Sequence, residues 1–299
     1  MSHRIDPGTA GLLLLPPLLW AGNAIVGRAL VGEFPPLALA FWRWTLALAL
    51  IAPFTAATLW RQRELVRQWW GPLVAISAVG VGLYNSLQYL ALQTASVVSV
   101  TLIAAAGPAA TLIIGALCFG ARIRRAQWLS VAVSSAGVIL VVARGDLANL
   151  ARLQVAAGDL IMLAAALSWS FYTWLLRRRR PPLELAPFLT LQIGIGAAMI
   201  LPFYLLESTL TLRSIAWSEA SAAGLIYVAV LPSLAAYWCW DRGVLRAGAV
   251  LPMIFSNLIP IFAAVLAFAF LGEAIAWFHL VGGGLILAGI MAASRDSPT

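Results

Sequence analysis

The side chains in this sequence that could do chemistry are few, and their types point to recognition rather than bond-making. The two cysteines, Cys118 and Cys239, each stand alone inside an apolar run, and the two histidines, His3 and His279, are far apart. Neither a metal-ligand spacing nor a nucleophile with a base is visible, so no cofactor and no metal are expected. What recurs instead is a set of aromatic, amide and hydroxyl groups at helical spacing within apolar segments. Trp20, Asn23 and Gly27 follow i, i+3, i+7, and Tyr84 and Gln88 follow i, i+4, with Asn85 and Tyr89 on the adjacent stripe. Trp169, Tyr172 and Thr173 form a third group, Tyr237 and Trp240 a fourth, and Ser256 and Asn257 a fifth. Aromatic faces supply dispersion and cation–π attraction while amides and hydroxyls fix polar ends, which suits a small amphipathic solute. The expected substrate-binding set is therefore Trp20, Asn23, Tyr84, Gln88, Trp169, Tyr172, Tyr237, Ser256 and Asn257. Ser256 and Asn257 have a second reading, in which they satisfy backbone groups one turn before Pro260.

Charged groups are informative by position. No Asp or Glu is expected in the middle of an apolar run, and Asp159 and Asp241 read as solvated residues at helix ends, so a carboxylate proton relay is not expected. Arg28 and Arg43, with Glu33 between them, either snorkel and pair structurally or offer one cation to an anionic substrate group. Trp42, Trp44, Trp60, Trp69, Trp70, Trp128, Trp217 and Trp277 read as interfacial belt residues.

These side chains must be positioned by helices in lipid. Hydrophobic residues make up 62% of the chain and charged ones only 10%, and the mean hydropathy is +0.93. Soluble chains carry roughly 25% charged residues, so this one cannot cover a water-facing surface. Runs long enough to span a bilayer occur near 11–32, 37–59, 71–92, 97–119, 126–143, 160–176, 185–206, 220–240, 249–271 and 277–293. The first lacks a cleavage site followed by a hydrophilic region and reads as an uncleaved span. All 19 basic residues are Arg, and with the N-terminus inside, fourteen fall on inner segments against three (Arg144, Arg152 and Arg213) on outer loops. This bias predicts cytoplasmic termini in the inner (plasma) membrane, with the run Arg177 to Arg180 as a topology anchor and not a nucleic-acid site.

The two halves repeat. At an offset of 149, Leu18 meets Leu167, Trp20 meets Trp169, and Pro53-Phe54 meets Pro202-Phe203; at 152, Ala95 meets Ala247, Val98 meets Val250, Pro108 meets Pro260, Gly120 meets Gly272, Ile123 meets Ile275, and Gly137 meets Gly289. With five spans each, repeats at 11–143 and 158–293 must be inverted relative to one another, an arrangement that serves alternating access around a midplane site. Pro108 and Pro260, near the centres of the fourth and ninth spans, are expected to bend them as gates or as static kinks that widen the cavity.

Leu271-Gly272-Glu273, the Gly-rich last helix from Gly282 to Gly289, the placement of Pro260, and Arg43 early in the second span resemble the EamA repeat of the drug/metabolite transporter superfamily. In the first half Gly120 is followed by Ala121 where many repeats have an acid. The resemblance covers essentially the whole chain and implies an all-α membrane carrier of five plus five helices, acting as a monomer on a small-molecule substrate. Within the superfamily the aromatic-rich spans are similar to YddG-type exporters of aromatic and other neutral amino acids. The expected function is uncoupled export of such amino acids by alternating access. Efflux of drugs or lipophilic aromatic cations is the alternative cargo. A membrane enzyme or a channel would need a convergent acid–base or metal set, or a charged ring, that the sequence does not offer.

Overall fold

The computed structural model describes residues 6–30, 32–95, 97–152, 156–211, 214–271 and 274–295. His3, Arg213, Gly272, Glu273 and the side chain of Arg28 lie outside the described residues. Among the described residues ten helices are long and apolar enough to cross a membrane: α1 (Pro7–Gly27), α2 (Pro36–Arg61), α3 (Trp70–Ala91), α4 (Ser99–Phe119), α5 (Arg125–Val142), α6 (Ala157–Arg179), α7 (Leu185–Thr211), α8 (Glu219–Ala247), α9 (Val250–Ala269) and α10 (Trp277–Ser294). Among the described residues there is no β-strand. The protein is an all-α, multi-pass membrane protein, with Phe54, Leu117 and Leu210 on its outer, lipid-compatible face.

Helix ends are set by local chemistry. Asp6 accepts from the Thr9 N–H at 2.9 Å and Oγ at 2.6 Å, which holds its pKa below the usual carboxylate value. Pro36 sits at the start of α2, where a missing N–H costs nothing, and Ser218 caps α8 by accepting from Ser221 N. Gly120 (φ +60) and Gly248 (φ +81) end α4 and α8 in backbone conformations that glycine adopts freely.

Four spans are irregular inside. Ala78–Leu83 of α3 and Val230–Ala235 of α8 are π-helical, and the two segments are 152 residues apart. The fourth span ends one helix at Ala105 and starts another at Gly107, and α9 stops at Ser256 and resumes at Ile259. Pro108 and Pro260 thus do not bend continuous helices. Each lies in the first turn after a break, where proline is well tolerated.

The halves interlock: α5 packs on α10, α2 on α7, α3 on α6 and α1 on α8. Glycines bring α5 and α10 together. A Cβ at Gly137 would lie 2.5 Å from the Gly282 carbonyl oxygen and 2.9 Å from Ile286, and one at Gly289 would lie 2.7 Å from the Ser130 oxygen and from Ser134 Cβ. An offset of 152 turns Gly137, Ser130 and Ser134 into Gly289, Gly282 and Ile286, so the two contacts exchange, as in an isologous interface.

Candidate functional site

A cavity of about 140 Å³ lies between the helices, from mid-span toward the helix ends remote from the chain termini. Trp20, Asn23, Tyr84, Gln88, Trp169, Tyr237, Ser256 and Asn257 line it, together with Asn85, Tyr89, Gly107 and Pro260. An amide or hydroxyl on a lipid-facing stripe would be costly, so the helices turn these groups inward. Tyr172 is placed elsewhere. Its ring lies behind Trp169 and against Gly80, on the terminus side of the cavity, because one helical turn carries it past the cavity floor.

That floor is aromatic. Trp169 meets Trp20 edge to face with centroids 5.2 Å apart, and also contacts Tyr84 (4.6 Å), Tyr237 (5.5 Å) and Trp240 (5.2 Å). The π segments anchor the rings through their carbonyls: Trp20 Nε1 donates to Pro232 O at 3.1 Å and Tyr237 OH to Gly80 O at 2.8 Å. Ser256 Oγ donates to the Met253 carbonyl of its own helix at 2.6 Å, seven residues before Pro260, whereas Asn257 Nδ2 reaches Ser134 Oγ on α5 at 3.0 Å.

Arg43 neither snorkels nor pairs with Glu33. It is fully buried, donating to Ser233 Oγ from Nε (2.9 Å) and Nη2 (2.7 Å), and from Nη1 to Asn85 Oδ1 (3.1 Å) and Tyr89 OH (2.7 Å). It has no acidic partner among the described residues. Seven residues into α2 it lies about 10 Å from the helix start, too deep on an inward face to reach headgroups. Trp44 beside it is also no belt residue: fully buried, it packs on Tyr237 at 5.0 Å with the Arg43 guanidinium 4.9 Å from its ring. Trp60, Trp70, Trp128, Trp217 and Trp277 are exposed near helix ends, as a belt requires.

Asp241 is likewise not solvated. The eighth span continues to Ala247, and Asp241 faces inward with no solvent exposure, its Oδ1 accepting from Tyr172 OH at 2.5 Å. Its neighbour Arg242 turns outward over Trp238 at 5.2 Å. Arg180, just beyond α6, is half-buried; burial holds its pKa below the usual guanidinium value, and the nearby Asp241 and Tyr172 act in the opposite sense. Among the described residues no group of His, Cys, Asp and Glu could hold a metal ion.

The EamA-like transporter family matches twice, over residues 9–143 and 156–295. The chain belongs to the EamA-like transporter family. This EamA protein is 26% identical over 88% of its length to 86% of "Uncharacterized transporter YyaM" of Bacillus subtilis. It is 28% identical over 95% of its length to 92% of a "Probable terminal-alkyne amino-acid exporter" of Streptantibioticus cattleyicolor. A solved crystal structure shares its fold at a TM-score of 0.77 and 21% identity, covering 96% of this chain and 97% of the other. The EamA protein is a membrane transporter rather than an enzyme.

Proposed function

We propose that this transporter exports small neutral amino acids, with aromatic or large apolar side chains preferred, by alternating access between two inverted halves, 11–143 and 158–293. The observation that carries the cargo assignment is Arg43, a fully buried cation with no acidic partner among the described residues, one layer behind Asn85 and Tyr89 on the cavity wall. Its field favours a carboxylate at that end of the cavity. Two half-helix N-termini, at Gly107 and at Ile259, also reach the cavity and bear partial positive charge. The aromatic floor suits an apolar side chain, at about 25 cal/mol per Å² of apolar area buried, and its ring faces suit an ammonium group.

The alternative cargo, a drug or lipophilic cation, is opposed by the same arginine. The relative named as an amino-acid exporter supports the reading. The arginine bias supports cytoplasmic termini in the plasma membrane, with the cavity toward the outside, and the protein works as a monomer. The expectation of uncoupled movement rested on carboxylate-free spans, and buried Asp241 removes that ground.

The test is counterflow in proteoliposomes loaded with phenylalanine or leucine, against an aromatic quaternary ammonium. Amino-acid exchange without cation exchange supports the assignment; the reverse pattern overturns it.

A further inference from the structure

Asp241 is buried beyond the aromatic floor, outside the cavity, and one of its oxygens is unaccounted for. Oδ1 accepts from Tyr172 OH, but Oδ2 is buried without a hydrogen-bond partner. No arginine reaches ion-pair distance among the described residues.

The groups around it offer no countercharge in contact. From the α6 side come Tyr172, Arg177, bonded to the Leu245 carbonyl at 2.9 Å, and Arg180, bonded to the Leu183 carbonyl at 2.7 Å. From α7 comes Gln192, a fully buried, uncharged amide beside Tyr172; the one acid of α7, Glu207, is at the other end of that helix, on the α2 N-terminus. The described side chains of α1 and α9 bring no ionisable group to this contact. On α8 itself Tyr237 is engaged by Asn85 and Gly80, Arg242 lies over Trp238, Cys239 is a buried free thiol, and Arg246 is five residues further on.

An ionised carboxylate with an orphaned oxygen in a dry interior is far more costly than the neutral acid. The neutral acid needs only one proton, on Oδ2, and leaves the Tyr172 hydrogen bond in place. The packing that excludes water here joins α6 to α8 on the terminus side, which must part for the cavity to open that way.

We propose that Asp241 binds a proton when the terminus-side end of the bundle seals and gives it up when that end opens. On opening, the Tyr172–Asp241 bond breaks, water enters, and the carboxyl transfers its proton to water, leaving a carboxylate and a hydronium ion. Arg180 is already at that end to stabilise the carboxylate. On closing, the carboxylate takes a proton back from the same side. Acid on that side therefore favours the sealed state, by up to tenfold in population per pH unit where the group titrates.

The inference rests on alternating access but not on the cargo, and its test has one arm that needs no substrate. Infrared spectra of the purified protein at neutral pH should show the carbonyl stretch of a protonated carboxyl that is lost in Asp241→Asn. In liposomes with equal pH on both sides, amino-acid exchange by the wild type should change severalfold between acid and alkaline pH, while Asp241→Asn transports with a flat profile. If that variant does not fold, Tyr172→Phe, which removes the donor to Oδ1, should shift the carbonyl band. A wild type without the band, or an unchanged pH profile in Asp241→Asn, overturns the proposal. Presence of the band without amino-acid exchange overturns only the cargo assignment.

Discussion

Asn85 Nδ2 donates to the Tyr237 hydroxyl at 2.9 Å, and these two residues are 152 positions apart, the offset that superposes one half of the sequence on the other. Each is thus bonded to its own counterpart. Such a pair belongs where the two repeats meet, and here the cavity lies beside it. Asn85 also accepts from Arg43, and Tyr237 donates on to the Gly80 carbonyl in the π segment of α3. A motion of one half against the other must act on this chain of bonds.

Tyr237→Phe and Asn85→Ala should therefore each destabilise the protein by about 1–3 kcal/mol, since each leaves buried polar partners unsatisfied. Because both variants break the same bond, the double variant should cost less than the sum of the singles. Thermal unfolding in detergent measures all three; strict additivity would show that the contact carries no energy.

Replacing Arg43 separates its two roles. Arg43→Lys keeps the charge but cannot hold Ser233, Asn85 and Tyr89 together, because a point ammonium lacks the guanidinium fork. Arg43→Gln removes the charge. If the guanidinium field holds the cargo's carboxylate, Arg43→Gln should raise the KM for phenylalanine at least tenfold, or about 1.4 kcal/mol. Inhibition by phenethylamine, which lacks that carboxylate, should be far less affected. Equal losses for both compounds would assign Arg43 to the scaffold alone.

The aromatic floor gives a graded expectation. Trp20 is partly exposed to the cavity, so Trp20→Ala should lower transport while folded protein persists. Trp169 is 5% exposed and sits among five other rings, so Trp169→Ala should lose about 3–5 kcal/mol through the void it leaves. Trp169→Phe should fold and transport slowly. Membrane yield and exchange rate, compared across the three, check this order; native exchange by both Trp20→Ala and Trp169→Phe would remove the floor from the transport path.

The ten spans could be read in the sequence because long apolar runs have no other solution in lipid. The cavity wall could be read because Asn23, Gln88 and Asn257 cannot face hydrocarbon. What failed was depth. Periodicity tells which face a residue occupies but not how far in it lies, so Arg43 read as snorkelling, Trp44 as interfacial and Asp241 as a solvated helix end. The last error came from ending the eighth span where charge begins, although Arg242 faces outward while Asp241 faces in. Pro108 and Pro260 marked the right places, but a proline cannot tell a bend from a break. The π segments left no periodic trace, since the neighbouring turns absorb one extra residue.

The orientation rests on where the arginines fall and can be read directly. In a chain whose Cys118 and Cys239 are replaced, single cysteines are placed at Arg179 and Thr209, both exposed and at opposite ends of the bundle. Position 209 should react with an impermeant maleimide on intact cells, and position 179 only after lysis. The opposite result would invert the topology and place the cavity toward the cytoplasm.

The contact of α5 with α10 supplies the last expectation, with its own internal control. At Gly137 a methyl group would press on the Gly282 carbonyl at 2.5 Å, and at Gly289 on the Ser130 carbonyl at 2.7 Å. Both obstacles are helix backbone, which cannot move aside like a flexible side chain. The helices must separate, losing contacts along the whole interface. Gly284 lies on the same α10 helix with nothing within 4 Å of its added Cβ. Gly137→Ala and Gly289→Ala should each cost about 1–3 kcal/mol by overpacking, while Gly284→Ala should be neutral or slightly stabilising through helix propensity. Since the repeat exchanges the two sites, the first two losses should be similar. Melting temperatures of the three variants in one detergent decide it, and a Gly137→Ala protein as stable as Gly284→Ala would mean that the two helices do not approach this closely in the membrane.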